Sequence, residues 1–172
     1  MSARIGNYCT IADDVVFGDD VIVWGYANLY GCRIGAGSRI GTFVEIQRDV
    51  VIGERVRIQS HTFVCSHVVI EDDVFVGHNV TFINDRFPAC ATAPAGTWVP
   101  EATRICRGAS IGSGAVLMCG VTVGEEALIG AASLVLADVP PRALVVGVPG
   151  RVVRIMAPGE LLARAEGRAF AG

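Results

Sequence analysis

The sequence is poor in positive charge and has no long apolar run. Its 14 basic residues stand against 17 acidic ones, which leaves a net charge of −3. Nucleic-acid binding needs a broad basic face, so this balance argues against a nucleic-acid partner. No stretch approaches the roughly 18 consecutive apolar residues of a membrane-spanning helix, and the first residues enter a repeat without the pattern of a signal peptide. We therefore expect no membrane partner and a cytoplasmic location.

Closely spaced cysteine pairs are also missing. The six cysteines are scattered without a Cys-x-x-Cys motif, whereas zinc ribbons and disulfide frameworks need close, paired spacings. We interpret them as small apolar side chains, buried or half-buried. The chain has instead 21 glycines among 172 residues, a share too high for a helical bundle and typical of a turn-rich β protein. Its length predicts one domain with a substantial core.

A six-residue repeat is the strongest signal in the chain. From Ile5 a large apolar residue recurs every six positions, with one residue missing near Gly31 and a long interruption after Phe82. The residue that follows is often glycine, and the one four positions later is small or β-branched. The recurring positions are Ile5, Ile11, Phe17, Val23, Leu29, Ile34, Ile40, Ile46, Ile52, Ile58, Val64, Ile70, Val76, Phe82, Ile105, Ile111, Leu117, Val123, Ile129 and Val135.

This period belongs to neither a helix nor a simple alternating strand. It predicts a short strand followed by a turn, with the apolar residue and the small residue both facing inward. Three units of six make one triangular coil of 18 residues, and stacked coils bury a continuous core.

The hexad and the end of the repeat resemble the left-handed β-helix acyltransferases. The chain leaves the repeat through Asp138-Val139-Pro140-Pro141 and Gly147-Val148-Pro149-Gly150-Arg151, with Gly150 where that family more often has alanine. The resemblance implies an all-β, left-handed parallel β-helix over residues 1–155, with a projecting loop at about 84–104 and a short C-terminal helix or tail over 156–172. Predicted inside that tail is a helix from Pro158 to Phe170.

The same resemblance implies acetyl-CoA as the acyl donor and no metal. Guanidinium groups pair well with phosphate oxygens, so arginines after the exit suit this cofactor. The implied coenzyme A-binding residues are Arg151, Arg154, Gly130, Ala131 and Pro149.

The central stretch narrows the resemblance to one branch. Ile70 to Phe75, Gly77, Asn84 and Pro88 match the pattern of transferases that N-acetylate nucleotide-linked amino sugars. This implies acetyl transfer to the amino group of a UDP- or dTDP-linked 3-amino sugar. It also implies a homotrimer with sites between neighbouring subunits.

The chemistry of this reaction directs attention to histidine. A neutral amine must attack a thioester while donors stabilise the oxyanion, and an imidazole is a natural base near neutral pH. His78 directly precedes the coil that carries the loop, and His61 lies on the same corner because it is 18 residues before Asn79. His67, which is 18 residues before Asp85, has the weaker claim, and a solvated or structural role is expected for it.

We predict His78, His61 and Asn84 as catalytic residues. The predicted substrate-binding residues are Asp85, Arg86, Glu45 and Gln59. An alternative mechanism needs no protein base, because the departing thiolate can take the proton.

Three other functions stay open at this stage. O-acetylation of a sugar, serine or antibiotic hydroxyl is compatible with the same hexad and exit. A γ-type carbonic anhydrase shares the β-helix and has a Gly-His-x-x-x-x-His pair, but here the second histidine position holds Ile83, so the three imidazole ligands of a catalytic zinc are incomplete. A non-enzymatic scaffold leaves the long loop and the exit motif without a purpose.

Overall fold

Short parallel strands, each ending on a repeat position, build three sheets. The computed structural model describes residues 2–90 and 99–167. The first sheet contains Arg4–Ile5, Ile22–Val23, Arg39–Ile40, Arg57–Ile58, Phe75–Val76, Ser110–Ile111, Leu128–Ile129, Ala143–Val146 and, antiparallel at its end, Arg151–Ile155. The second contains Thr10–Ile11, Asn28–Leu29, Glu45–Ile46, Phe63–Val64, Thr81–Phe82, Val116–Leu117 and Leu134–Val135. The third contains Val16–Phe17, Arg33–Ile34, Val51–Ile52, Val68–Ile70, Thr103–Ile105 and Thr122–Val123.

The strand register confirms the predicted coil. Arg39 pairs with Arg57 and Arg57 with Phe75, each 18 residues further along. Since each coil hydrogen-bonds only to the coils above and below it, the molecule is a solenoid. The predicted all-β parallel β-helix of hexapeptide repeats is therefore confirmed, while its left-handed sense stays a prediction of the resemblance.

The core is the column of inward-facing repeat residues. From Val23 to Val135 all of the repeat positions are buried, whereas Ile5 in the first coil is 43% exposed because it has a neighbouring coil on one side only. The small or β-branched positions, among them Val44, Ala115 and Ser133, are buried between them. The prediction that the large apolar residue and the small residue of each hexad both face inward is confirmed.

Three corners join the sheets. The first corner leads from the first sheet to the second and comprises residues 6–9, 24–27, 41–44, 59–62, 77–80, 112–115 and 130–133. The second corner leads from the second sheet to the third and carries the loop after strand Thr81–Phe82. The third corner returns to the first sheet and carries an ion-pair network in which Arg55 and Arg104 contact Asp73 and Glu71.

The two breaks of the repeat both fall on the second corner. The missing residue at Gly31 shortens one coil, so Ile22 pairs with Arg39 only 17 positions later. The loop lengthens another, so Phe75 pairs with Ser110. Within this loop, Phe87 is 82% exposed and Val99 is 80% exposed. Residues 91–98 of the predicted loop lie outside the described residues.

The C-terminal helix is shorter than predicted and spans Glu160–Ala165. Gly159 before it and Gly167 after it adopt φ values of 72° and 70°, a left-handed backbone that glycine accepts and that ends a helix. Phe170, where the prediction placed the end, lies outside the described residues. The predicted domain boundary after residue 155 stays a prediction. No helix in the described part of the chain is long and apolar enough to cross a membrane.

Candidate active site

The first corner changes character along the solenoid. Its turns share one backbone geometry, because the third residue of each has a positive φ between 55° and 71°. The residues concerned are Tyr8 (59°), Tyr26 (64°), Phe43 (57°), His61 (63°), Asn79 (55°), Gly114 (71°) and Ala132 (56°). Large rings therefore occupy this position in the first four coils, and small side chains occupy it in the last two.

The large residues form an exposed ladder of stacked rings. Tyr8 and Tyr26 have ring centroids 5.1 Å apart, Tyr26 and Phe43 are also 5.1 Å apart, and Phe43 and His61 are 4.9 Å apart. These spacings are close to the distance between neighbouring strands, so the ladder follows directly from stacking one coil on the next. His61, a predicted catalytic residue, is the last ring of this ladder.

His78 lies where the corner changes from large to small side chains. Its Nδ1 atom is 2.8 Å from the hydroxyl oxygen of Ser60, one coil earlier. Its backbone N–H donates to the Ser113 hydroxyl at 3.1 Å, one coil later. The side chain is exposed, and its Nε2 atom has no partner among the described residues. When Nδ1 carries the proton and donates to Ser60, Nε2 is a free proton acceptor.

His61 and His78 share the first corner, as their spacing predicted. Backbone bonds from His61 to Thr42 and from Asn79 to Ser60 show the stacking of successive turns. The predicted Gln59 begins the same turn as Ser60. His61, His78 and Gln59 are thus brought together on two neighbouring coils.

Asn84 and Asp85 lie on a different corner. The Asn84 amide donates to the Ser66 hydroxyl at 2.9 Å, which confirms the stacking of residues 18 apart on the second corner. Asp85 accepts a hydrogen bond from the backbone N–H of Phe87 at 3.0 Å. His67 stacks in the same corner, with its Nε2 atom 4.0 Å from an Asp49 carboxylate oxygen. Within one chain, a strand of the second sheet separates this group from His78.

Arg86 holds the two ends of the loop together. Its guanidinium donates to the Glu101 carboxylate at 2.8 and 3.1 Å and to the Cys119 carbonyl at 2.8 Å. The hydrogen bonds from Arg86 lower the pKa of the Glu101 carboxyl below its ordinary value. The guanidinium of Arg86, a predicted substrate-binding residue, is therefore already engaged by a structural partner.

Glu45 lies on the outer face of the second sheet. It accepts a hydrogen bond from the Tyr30 hydroxyl at 2.9 Å, and burial together with this carboxylate raises the pKa of Tyr30. The contact connects the sheet to the notch that the missing residue leaves at Gly31.

The predicted coenzyme A-binding residues lie at the C-terminal end of the solenoid. Gly130 and Ala131 belong to the last turn of the first corner, and Ala131 is exposed. Pro149 follows a cis peptide bond, and the neighbouring Gly150 N–H donates to the carbonyl of Leu134 on the last coil. Arg151 is exposed.

Arg154 differs from Arg151 because it is ion-paired. Its guanidinium donates to Glu160 at 2.9 Å, and Glu160 is only 3% exposed. Hydrogen bonds from Arg154 first, and then from Arg164, lower the pKa of Glu160 to about 2. The contact ties the antiparallel strand to the C-terminal helix.

Ser60 is a candidate site residue that the sequence analysis did not name. It precedes His78 by 18 residues, so the coil length alone points to this pair. The prediction used the 18-residue spacing for His61 and His67 but not for His78 and Ser60. Across the described residues, no three His, Cys, Asp or Glu side chains are grouped as a metal site.

Comparisons with known proteins agree with the fold and the repeat. The family profile for the bacterial transferase hexapeptide (six repeats) matches residues 31–66. The bifunctional protein GlmU of Thermotoga petrophila is 36% identical over 163 residues, which are 90% of this chain and 33% of that protein. The serine acetyltransferase of Bacillus pumilus is 38% identical over 122 residues, 67% of this chain and 50% of that protein.

A solved structure shows the same architecture over most of the chain. AntD, an N-acyltransferase from Bacillus cereus that was solved as a point mutant in complex with dTDP and coenzyme A, superposes with a TM-score of 0.76. The alignment covers 88% of this chain and 89% of that one at 20% identity, which establishes the fold alone. This chain spans about a third of the length of the GlmU proteins it matches. The repeat, the coil and these likenesses together show that the chain has the hexapeptide-repeat β-helix fold.

Proposed function

We propose that this chain is an acyl-CoA-dependent N-acetyltransferase whose acceptor is a nucleotide-linked amino sugar. The observation that carries the proposal is His78, held through Nδ1 by Ser60 at 2.8 Å with Nε2 open to solvent. An imidazole oriented in this way is the arrangement that general-base catalysis needs. Two relatives whose names state an activity, serine acetyltransferase and the N-acyltransferase AntD, both transfer acyl groups.

His78 Nε2 removes the proton of the acceptor amine as the nitrogen attacks the thioester carbon. The carbon–sulfur bond then breaks, the acetyl group stays on nitrogen, and the thiolate leaves with a proton returned by the imidazole. Ser60 acts as a positioning residue, because it fixes which ring nitrogen faces the substrate. Atoms and charges balance without a metal or an oxidant.

Acetyl-CoA, the acyl donor, binds along the part of the first corner that follows His78, where the turns carry small residues. Above His78 the corner carries Ser113, Gly114, Ala131 and Ala132, and so it leaves room for the narrow arm of acetyl-CoA to lie along the coils. The exposed Arg151 near the exit suits a phosphate of coenzyme A. Arg154 is the weaker ligand, since its guanidinium is already engaged by Glu160.

A homotrimer is part of the proposal. Exposed apolar side chains at the end of the first sheet, among them Val152, Val153 and Ile155 at 49%, 58% and 51%, are of the kind that a neighbouring subunit covers. Asn84 and Asp85 lie on a different corner from His78, and a neighbouring subunit can bring the two groups together. Light scattering coupled to size exclusion measures the mass directly, and a monomer at micromolar concentration contradicts this part.

O-acetylation is the second candidate because one observation favours it. A hydroxyl is harder to deprotonate than an amine and needs a base more, and His78 is held as such a base. The 38% identity to a serine acetyltransferase points the same way. The two candidates share every residue named above and differ only in the acceptor atom.

The test is thiol release from acetyl-CoA with a panel of acceptors. The panel contains UDP- and dTDP-linked 3-amino and 4-amino sugars, their hydroxyl counterparts and free serine. We expect release with an amino sugar and a product one acetyl group heavier by mass spectrometry. Release with hydroxyl acceptors alone establishes O-acetylation, and the absence of release with every acceptor contradicts both candidates.

A further inference from the structure

A groove runs beside the first corner from Trp24 to His78. It has a volume of about 440 Å³, and its lining includes Trp24, Arg39, Gly41, Gln59 and His78. Trp24 is 57% exposed. One end of the groove is therefore the proposed base, and the other end is a large aromatic face open to solvent.

The groove arises because two turns of the first corner carry a side chain at a position where the other turns carry glycine. The first position of the corner is Gly6, Trp24, Gly41, Gln59, Gly77, Gly112 and Gly130 in successive coils. Only Trp24 and Gln59 carry side chains, and Gly41 lies between them. A Cβ atom on Gly41 would approach the Ser60 nitrogen to 2.6 Å, so this coil must stay without a side chain. The result is a gap with a wall on either side.

Arg39 lines the gap, and neither it nor Arg57 on the next strand has an acidic partner within residues 2–90 and 99–167. Arg39 and Arg57 are directly paired in register on neighbouring strands of the first sheet. Both donate to backbone carbonyls, Arg39 to Asp20 at 2.6 Å and Arg57 to Gly37 at 3.3 Å. In those ranges neither has a carboxylate at ion-pair distance, unlike Arg55, Arg86, Arg104, Arg107, Arg154 and Arg164.

Adjacent like charges on a sheet destabilise it. An uncompensated pair of guanidiniums is also a good receptor for two neighbouring phosphates, because each planar fork matches the phosphate oxygens. Along the stack of coils the pair lies between the coil of Trp24 and the coil of His78, with Arg39 in the groove lining and Arg57 on the next strand. Trp24, the arginine pair and His78 thus follow the order of the nucleobase, the diphosphate and the reacting sugar in a nucleotide-linked amino sugar.

We infer that this groove binds the nucleoside diphosphate part of the acceptor. The base stacks on Trp24, and the sugar amine reaches His78. The two phosphates pair with Arg39 and Arg57, whose guanidiniums turn toward the groove from the third-corner carbonyls of Asp20 and Gly37 that they contact in the free protein. Trp24 and His78 are three coils apart, about 14 Å at the strand spacing of a sheet, a span suited to a base, a diphosphate and a sugar in extended form. The inference rests on the proposed function for the position of the reacting amine, but its nucleotide part can be tested alone.

Nucleotide binding is measured by calorimetry and by tryptophan fluorescence with dTDP, UDP and ADP as probes. The chain has two tryptophans, so a Trp98→Phe background makes Trp24 the reporter. We expect one of the diphosphates to bind and to quench Trp24. Arg39→Gln/Arg57→Gln should weaken that binding at least about 10-fold, because two charge-assisted contacts are lost, and Arg39→Lys/Arg57→Lys should restore part of it.

Matched variants separate this role from general effects on the fold. Arg33→Gln removes another exposed arginine that has no carboxylate partner in the described part, from the third sheet, and should leave binding unchanged. Trp24→Ala should weaken binding, whereas Phe75→Ala, an exposed aromatic on the first sheet, should not. Circular dichroism and melting temperature check that every variant folds.

The outcomes distinguish this inference from the proposed function. If His78→Ala abolishes turnover while nucleotide affinity is the same in wild type and Arg39→Gln/Arg57→Gln, the groove assignment is wrong and the transferase stands. If the arginine variant raises the KM for acetyl-CoA and not that for the acceptor, the groove belongs to the donor, and the inference is also wrong. Loss of nucleotide affinity in this variant supports it even if no acceptor is turned over.

Discussion

The first corner has two halves that share a backbone and differ in side-chain size. In the turns before that of His78 the positive-φ position carries Tyr8, Tyr26, Phe43 and His61. The turn of His78 itself carries Asn79 there, and the later turns carry Gly114 and Ala132. The turn geometry is nearly the same in both halves. The backbone conformation therefore does not explain why rings occupy this position, because glycine adopts a positive φ without the strain that a ring-bearing residue incurs. Under the proposed function, the half with rings recognises the acceptor and the half with small side chains holds acetyl-CoA.

The largest expected effect comes from His78 at the boundary of the halves. His78→Ala should lower kcat by about 100-fold or more, the usual contribution of a general base. Steady-state rates with the best acceptor measure it. His67→Ala is the matched control, because His67 lies on the second corner near Asp49. A loss in both variants, or in neither, removes His78 from the mechanism and leaves proton transfer to the leaving thiolate.

Filling the small half tests whether it holds the donor. Ala131→Phe places a ring on the last turn of the corner and should raise the KM for acetyl-CoA by about 10-fold or more, since the added ring occupies the proposed track. Ala137→Phe makes the same change on the exposed second corner of the same coil. The comparison fails if the two variants have equal KM values for acetyl-CoA.

Removing the contact that orients His78 should have a smaller effect. Ser60→Ala deletes the hydrogen bond to Nδ1, which is worth about 1 kcal/mol, or roughly fivefold in rate. Ser60→Thr retains the hydroxyl and should recover most of kcat. A fall in kcat with unchanged KM values separates positioning from packing, because a general loss of packing also weakens substrate binding. An unchanged kcat in Ser60→Ala contradicts the role of Ser60.

Breaking the ring ladder should change stability more than chemistry. Phe43→Ala removes its contacts with Tyr26 and His61 and should lower the free energy of unfolding by about 1–3 kcal/mol, since each ring pair contributes roughly 0.5–1.5 kcal/mol. Urea unfolding measures the difference, with Phe75→Ala as an exposed aromatic outside the ladder. The KM for acetyl-CoA should stay unchanged, because the donor half is not touched. A rise in that KM shows that the halves are not independent.

The smallest effect lies beyond the small half, at the ion pair between Arg154 and Glu160. The pKa of Glu160 is lowered to about 2, so its stabilising contribution is complete above its ordinary value near 4.5 and is lost as the pH falls toward 2. Melting temperatures of wild type and Glu160→Gln should therefore differ at pH 6 and converge as the pH approaches 2. A constant difference across this range assigns the effect to packing rather than to charge.

The regular part of the molecule was predictable residue by residue. Val76 is buried one coil after Ile58 because both obey the same six-residue period, and the stacking of Asn84 on Ser66 follows from the 18-residue coil. The pair Ser60 and His78 obeys the same spacing, so the sequence contained it. Arg86 is different: its partner Glu101 lies across the loop, where no period connects them.

The groove shows where sequence spacing fails. Trp24 and Gly41 are neighbours on the corner but 17 residues apart, because the missing residue at Gly31 shifts the count. That Arg39 and Arg57 lack acidic partners in the described part depends on what surrounds them in space, and their spacing of 18 carries no information on it.

The amino-acid pattern was enough to specify the coil, the inward columns and the corner on which each turn residue lies, because these depend on a local period that every hexad repeats. Which side chains meet could be read only from the folded molecule: Ser60 with His78, Arg86 with Glu101, Arg154 with Glu160, and, among the described residues, the arginine pair with no acid at all. Such contacts depend on distances between side chains on separate coils, which a one-dimensional pattern of apolar residues leaves free.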